Sequence, residues 1–334
     1  MTRRIGDYMT KCIKCLKLLP DEANFCFNCG FPVGKLEVSR SCMECGNSLS
    51  TVDKFCSKCG VPVKVVKSGE NTTQASDSPN AKIEKYPRMV RIPGGQFVMG
   101  NGSNNSLITL VSFYMSEIPV TQMQYSIVMG KNPSKLLGED RPVESVNWCE
   151  ALIYCNLLSQ IKGLTPCYTI GDSTNLSQFE ASSPVWKRIA CNFTANGFRL
   201  PTEAEWEFAA REGKTSNQSL YSGSSNINEV AWYGENSAIS SHTVSTKKSN
   251  SLGLYDMCGN VAEWCWDYYN PNLPSGSQTN PHGPNIGDLH VKRGGSWLDD
   301  PQQCTVFYRS GSAPNGKSSN LGFRVCRSEI SQTI

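Results

Sequence analysis

The stretch RLPTEAEWEFAAREG, residues 199–213, carries the signals of a short and well-capped helix. Thr202 is a residue type that favours helix N-termini, and Glu205 stands three positions later, which is the spacing of a capping box. Gly213 follows the apolar residues and supplies a stop signal. The sequence therefore predicts a helix that begins after Thr202 and ends before Gly213.

The chain before this helix predicts a second helix and a pair of strands. SVNWCEALIYCNLLSQIKG, residues 145–163, has apolar residues at helical spacing, with Ser145 or Asn147 as its cap. VRIPGGQFVMG, residues 90–100, predicts a strand, a glycine turn and another strand. Elsewhere, short apolar bursts alternate with Gly, Asn, Ser and Pro clusters. We therefore predict one α+β domain of irregular build over residues 86–329.

The composition is that of a folded protein rich in turns. Of the 334 residues, 39% are hydrophobic and 18% are charged, and the net charge of +3 is too small to imply nucleic-acid binding over the whole surface. The first residues lead directly into a cysteine pair, without the apolar segment of a signal peptide, and no run of about eighteen apolar residues follows. We expect no membrane span and a cytoplasmic location.

Eight of the sixteen cysteines form two quartets that repeat with an offset of thirty residues. Both read C-x2-C, ten residues, C-x2-C, and they comprise Cys12, Cys15, Cys26 and Cys29, then Cys42, Cys45, Cys56 and Cys59. Four thiolates at this spacing suit tetrahedral zinc, and each repeat is too small to bury a core without metal. Residues 10–33 and 40–63 therefore predict two zinc units, followed by a polar, flexible linker over residues 64–85. Disulfide pairs are the alternative, which the absence of a secretion signal disfavours.

The zinc units are expected to be structural. A zinc ion enclosed by four cysteines has no open position for water. Residues 1–67 hold eleven Lys/Arg and six Asp/Glu, a balance of +5, and two zinc–tetrathiolate centres at −2 each reduce it to about +1. This balance argues against nucleic acid and favours contact with a protein.

Seven stretches of the chain together resemble the formylglycine-generating enzyme (sulfatase-modifying factor) superfamily. They are IPGGQFVMG (92–100), PVTQMQY (119–125), PVESVNWCEALIYCNLLS (142–159), GFRLPTEAEWEFAAR (197–211), GLYDMCGNVAEWCWDYY (253–269), RGGSW (293–297) and NLGFRV (320–325). The resemblance implies a variant of the C-type lectin-like fold over residues 86–329, and the cysteine repeats resemble a double zinc ribbon. The superfamily includes formylglycine-generating oxidases and members with no known activity.

The oxidase resemblance breaks at one position. Family oxidases hold copper(I) between two cysteines in the pattern R-G-G-S-[YW]-x-C-x4-C, and this soft ion favours thiolate ligands. Aligned on residues 293–297, the second family cysteine falls on Cys304, whereas the first falls on Asp299, a hard carboxylate. We therefore expect no formylglycine-generating activity. The alternative is a copper-dependent oxidase in which Cys304 is the catalytic thiol.

The resemblance also implies a calcium site in GLYDMCGNVAEW, residues 253–264. Its side-chain oxygens would come from Asp256 and Glu263, and its backbone carbonyls from Gly259 and Val261. Hard oxygen ligands on a compact loop suit calcium. The alternative is that the tryptophans pack in the core and Glu263 makes an ion pair. The sequence leaves both interpretations open.

These inferences favour a recognition protein over an enzyme. Loops of a fixed scaffold tolerate wide sequence change, and some family members diversify the region that matches residues 298–319. We expect Trp297, Asp299 and Arg309 to line the ligand cleft, and a protein or peptide to be the partner. A purely structural adaptor, whose zinc ribbons make the contacts, is a third hypothesis.

Overall fold

The computed structural model of the chain describes residues 83–213 and 219–329 in full, together with the backbone of four short strands nearer the N-terminus. The chain divides into two compact units, Met1–Ser78 and Pro79–Ile334. The predicted linker lies almost wholly outside the described residues. No helix within the described residues is long and apolar enough to cross a membrane.

The described strands of the first unit form two small antiparallel pairs. β1 (Met9–Lys11) pairs with β2 (Leu18–Pro20), and β3 (Arg40–Ser41) pairs with β4 (Ser48–Leu49). Lys11 faces Leu18 and Ser41 faces Ser48, so the two pairs are offset by the thirty residues of the cysteine repeat. All eight cysteines of the predicted zinc sites lie outside the described residues.

The described part of the second unit is built from short strands in several small sheets. The strands are β5 (Met89–Ile92), β6 (Gly95–Asn101), β7 (Asn104–Leu110), β8 (Phe113–Ser116), β9 (Tyr168–Ile170), β10 (Ile189–Cys191), β11 (Phe198–Arg199), β12 (Ala231–Trp232), β13 (Cys258–Gly259), β14 (Ala262–Tyr268), β15 (Ser277–Thr279), β16 (His290–Arg293), β17 (Arg309–Ser312), β18 (Leu321–Gly322) and β19 (Cys326–Ser328). Two four-stranded sheets have the orders β11-β19-β8-β5 and β17-β16-β14-β18, and a three-stranded sheet has the order β15-β7-β6. β9 pairs with β10, and β12 with β13.

The predicted strand, turn and strand of residues 90–100 are confirmed as β5 and β6, but the two strands enter different sheets. β5 pairs with β8, whereas β6 pairs with β7. Between them, Gly94 lies so close to the backbone that a Cβ would come within 2.5 Å of the carbonyl oxygen of Leu110. Only glycine fits there, and the chain can pass from one sheet to the other.

Four α-helices are present in the described residues, and both predicted helices are among them. They are α1 (Gln122–Met129), α2 (Trp148–Ile161), α3 (Glu203–Ala210) and α4 (Ile227–Val230), with 3-10 turns at Leu176–Gln178, Pro184–Arg188 and Pro301–Cys304. Asn147, not Ser145, caps α2 and forms a capping box with Glu150. Thr202 and Glu205 form the predicted capping box of α3.

Two buried apolar clusters form the core of the second unit. One is centred on Trp206, Phe97 and Phe208, and the other on Trp148 and Trp264. Trp148, Cys149 and Cys155 of α2 all pack in the second cluster.

Buried ion pairs connect α3 to the surrounding strands. Each of its three glutamates binds a different arginine: Glu203 binds Arg309 (2.6 and 2.7 Å), Glu205 binds Arg199 (2.7 Å for both contacts), and Glu207 binds Arg293. Buried carboxylates require such partners, because an unpaired charge in a core is strongly destabilising. These pairs fix the ends of β11, β16 and β17 around one short helix.

Candidate functional site

The segment that matches the oxidase copper site leaves β16 through two glycines. Gly294 and Gly295 have φ angles of +90° and +66°, which disfavour any other residue. A Cβ on Gly295 would come within 2.7 Å of the Cys304 sulfur. The turn therefore holds the backbone of residues 293–297 directly against Cys304.

Cys304 is a core thiol in this arrangement. It ends the 3-10 turn Pro301–Cys304, is 0% exposed, and belongs to the apolar cluster around Trp206. Burial raises the pKa of Cys304, and the nearby Cys258 and Asp299 raise it further. The thiol is thus held in its protonated form, whereas copper(I) ligation and nucleophilic attack both require the thiolate.

Asp299, at the other copper position, is engaged by its own turn. Its carboxylate accepts a hydrogen bond from the Ser296 hydroxyl, its backbone N–H donates to the Ser296 carbonyl at 3.1 Å, and its carbonyl accepts from Gly234 N at 2.9 Å. A neutral buried thiol beside an engaged carboxylate does not fit copper(I). Nowhere in the described residues do three or more His, Cys, Asp or Glu side chains converge as metal ligands.

Trp297 lies beside these residues and is fixed from three directions. Its indole N–H donates to the Ser319 carbonyl at 3.0 Å, and its backbone N–H donates to the Asn260 carbonyl at 2.9 Å. Its own carbonyl accepts from the Ser237 hydroxyl at 2.7 Å. Because the ring is only 7% exposed, Trp297 supports this surface more than it forms it.

Two exposed apolar residues lie on the turns next to Trp297, and neither was among the predicted site residues. Leu298 is 60% exposed and Ile239 is 78% exposed. The Ile239 N–H donates at 3.2 Å to the same Ser237 hydroxyl that contacts Trp297. Ile239 has a φ of +59°, an uncommon conformation for a β-branched residue. No periodicity in the sequence marks either residue, since both lie in turns.

Arg309 is not brought to this surface. Its guanidinium binds Glu203 and donates to the carbonyls of Asn270 and Pro271 at 2.9 and 3.3 Å. It lines a separate cleft of about 340 Å³, whose lining includes neither Trp297 nor Asp299. The predicted cleft residues therefore belong to two different places on the domain.

The predicted calcium ligands lie close to one another, but protein donors already engage them. Glu263 accepts from Arg324 at 2.7 and 2.9 Å and from the Trp206 indole at 2.7 Å. Asp256 accepts from Ser245 N at 2.8 Å and from the Asn260 amide at 3.2 Å. An arginine on one of the two carboxylates does not fit a calcium ion shared between them.

The residues at the two carbonyl positions of that loop are closely packed. A Cβ on Gly259 would lie 2.2 Å from the Trp232 carbonyl oxygen, and Val261 is 1% exposed. The geometry favours the alternative in which Glu263 forms an ion pair and the loop packs in the core. Calcium binding by this loop stays an untested prediction.

Comparison with known protein families matches two separate parts of the chain. Residues 74–329 match the Sulfatase-modifying factor enzyme 1-like domain, and residues 10–60 match the Double zinc ribbon. The chain is 36% identical to Chaperone protein LppX of Paenibacillus barcinonensis over 261 residues, which are 72% of this chain and 89% of the relative. It is 28% identical to the Formylglycine-generating enzyme of Streptomyces coelicolor over 292 residues, which cover 75% of this chain and 92% of that enzyme.

A solved structure supports the fold. Treponema denticola variable protein 1 is 35% identical to this chain and superimposes with a TM-score of 0.67, covering 72% of this chain and 95% of that chain. The expected mixed helix and strand architecture with a C-type lectin-like fold is thereby confirmed for the second unit. The chain belongs to the sulfatase-modifying factor enzyme 1-like family and carries a double zinc ribbon before the family domain.

Proposed function

We propose that this chain is a zinc-ribbon recognition protein whose family domain binds a protein or peptide and does not generate formylglycine. Asp299 carries the proposal, because it stands where the oxidase pattern requires the first copper-binding cysteine. Its carboxylate is engaged by Ser296, and the remaining cysteine of the pair, Cys304, is buried, which raises the pKa of its thiol. The two-thiolate chemistry of the pattern is therefore not available.

The surface beside Trp297 supports a protein partner. Leu298 and Ile239 present apolar side chains to solvent on turns that hydrogen bonds hold in place. Exposed apolar groups on a fixed backbone suit protein recognition, since little conformational entropy is lost on binding. The Paenibacillus relative is named a chaperone protein, which fits a chain that acts on other proteins.

The zinc ribbons complete the proposal as structural units. We infer one zinc ion for each cysteine quartet, which closes the site and leaves no position for substrate. Thiolate sites of this kind persist in a reducing compartment, so we place the chain in the cytoplasm.

An aldehyde assay tests the absence of oxidase activity. The purified chain is incubated with copper(I), oxygen and a peptide that contains C-x-P-x-R, and the product is examined by mass spectrometry. The Streptomyces enzyme serves as the positive control. We expect no aldehyde. Turnover that disappears in Cys304→Ala but persists in Cys326→Ala, another fully buried cysteine, would overturn the proposal.

A peptide selection tests the recognition surface. Random peptides displayed on phage are selected on the wild-type chain, and the selected peptides are then measured against variants. We expect Leu298→Asp and Ile239→Asp to weaken binding at least about tenfold, since each puts a charge into an apolar contact. Ile286→Asp, at a residue that is 87% exposed elsewhere, is the matched control. Equal binding to all three variants contradicts this surface.

A further inference from the structure

A second cleft of the family domain lies where α3, β14 and the segment before β15 meet, and it contains Arg309. The cleft has a volume of about 340 Å³, within the range of small-molecule sites. Its apolar lining includes Met99, Ile108, Leu273 and Pro281. An alkyl chain of several carbons would be well accommodated by these side chains.

The polar part of this lining includes Asp267, and we therefore call the site the Asp267 cleft. Asp267 lines the cleft but is only 4% exposed, and one of its carboxyl oxygens accepts from Glu203 N at 2.8 Å. Among the described residues, no arginine, lysine or histidine forms an ion pair with it. Asp267 thus differs from the carboxylates of α3, each of which forms an ion pair with at least one arginine.

The charges around the cleft are otherwise balanced. Arg309 is bound in bidentate fashion by Glu203, and its third nitrogen donates to the carbonyls of Asn270 and Pro271. The hydrogen bonds of the guanidinium thus go to Glu203 and to these two carbonyls, and none of them goes to Asp267. Burial and the neighbouring Glu203 raise the pKa of Asp267.

We propose that the Asp267 cleft binds an alkylammonium group, with Asp267 as its counterion and the apolar lining around its carbon chain. The ammonium would pair with the ionised carboxylate of Asp267, and any proton on that carboxyl group would pass to solvent as the cation enters. Side-chain amides of Asn272 and Gln278 also line the cleft and can accept the remaining ammonium hydrogens. This inference does not depend on the proposed recognition surface at Leu298 and Ile239.

The test compares ligands of equal size and different charge. The full chain is titrated with n-hexylammonium, 1-hexanol and hexanoate, with binding followed by calorimetry and by ligand-observed NMR. We expect n-hexylammonium to bind with a dissociation constant on the order of millimolar, as befits a fragment of this size, and at least about tenfold more tightly than the other two. Equal or tighter binding of 1-hexanol, or no binding of n-hexylammonium, would overturn the proposal.

Two variants test whether n-hexylammonium binds in this cleft. Asp267→Asn keeps the size of the side chain and can still accept from Glu203 N, so we expect it to remove the preference for the ammonium. Gln278→Trp fills the cleft mouth and should abolish binding, whereas Thr279→Trp, on the opposite face of the same strand, should not. A preference that survives in both Asp267→Asn and Gln278→Trp contradicts the assignment.

The final arm distinguishes a free amine from the lysine side chain of a partner. A capped tripeptide with a central lysine is compared with the same peptide carrying norleucine. Given that n-hexylammonium binds, tighter binding of the lysine peptide than of n-hexylammonium, with no binding of the norleucine peptide, identifies a protein partner. Failure of both peptides to bind identifies a small-molecule amine. The aldehyde assay has no influence on this result, so the two proposals succeed or fail separately.

Discussion

At the scale of single residues, Asp299 and Cys304 are held by different chemistry. Ser296 and Gly234 fix the Asp299 turn through hydrogen bonds, whereas Cys304 packs against Gly295 in the apolar core. The carboxylate also raises the pKa of the thiol. One substitution at residue 299 therefore removes a copper ligand and makes the other thiolate harder to form.

Asp299→Cys should reverse both effects. It recreates the spacing of the two-cysteine pattern and removes the negative charge that opposes thiolate formation at Cys304. We expect the variant to bind about one more equivalent of copper(I) than Leu298→Cys, which adds an exposed thiol one residue away. Copper titration of the zinc-loaded chains measures the difference, because both variants share the same ribbons. Equal copper content in the two variants contradicts this prediction.

At the scale of secondary-structure elements, local signals predicted α2 and α3, and they identified the cap of α3 and limited the cap of α2 to Ser145 or Asn147. α1 was missed because two of its inward-facing residues, Gln122 and Gln124, are polar. They are buried and bond to backbone atoms, so the apolar periodicity of a helix is weak there. The partners of β5 and β6 were equally hidden, because sheet pairing depends on contacts distant in sequence.

In the candidate site, too, the features set by local sequence were predicted, whereas those set by contacts distant in sequence were not. The sequence identified Cys304, Asp299 and Trp297 as one segment, and they remain one segment in the fold. Arg309 lies only ten residues beyond Asp299, yet it faces another cleft because Glu203 on α3 binds it. Asp267 was not predicted, since a carboxylate among aromatic residues gives no sign of which face it will occupy.

The ion pair between Glu263 and Arg324 joins β14 to the chain before β19, and we expect it to control stability. Both side chains are essentially unexposed. Arg324 donates from Nε to Glu263 Oε2 at 2.7 Å and from Nη2 to Glu263 Oε1 at 2.9 Å. Glu263→Gln leaves Arg324 buried without a counter-charge, which should lower the free energy of unfolding by about 3–5 kcal/mol. Urea denaturation measures the change.

A surface pair gives the comparison for that variant. Lys131 is 57% exposed and contacts Glu150 at 3.4 Å, so Lys131→Ala should change the unfolding free energy by less than about 1 kcal/mol. A loss for Glu263→Gln as small as that for Lys131→Ala would show that the pair does not hold these elements together.

At the scale of the whole molecule, acid should weaken the fold through His290. Burial lowers the pKa of His290 to about 4. Its ring stacks on that of Trp148, and the two ring centroids are 3.6 Å apart. An unfolded histidine has a pKa near 6.5, so the unfolded chain takes up a proton first as the pH falls. Stability attributable to this group is complete above about pH 6.5 and is lost progressively toward pH 4.

The size of this effect follows from the two pKa values. Between pH 7 and pH 5 the wild-type chain should lose about 2 kcal/mol of unfolding free energy through His290 alone. His290→Asn can still bond to the Trp266 carbonyl but cannot titrate, so its stability should fall less steeply with pH. Denaturation at several pH values gives the slopes. His242→Asn is the control, and a slope unchanged in His290→Asn would rule out this histidine as the cause.

The double zinc ribbon and the family domain are separately compact units, so their stability should have different sources. The ribbon is too small to fold on apolar burial, whereas the family domain has two buried clusters of its own.

Metal analysis of the purified chain should therefore find about two zinc ions. Cys12→Ser should reduce the content to about one, because it opens one quartet, whereas Cys149→Ser changes a core cysteine and should retain both. Chelation should melt the ribbon and leave the thermal transition of the family domain in place. If the content is near zero, or if Cys12→Ser and Cys149→Ser have equal effects, the cysteine quartets are not the zinc sites.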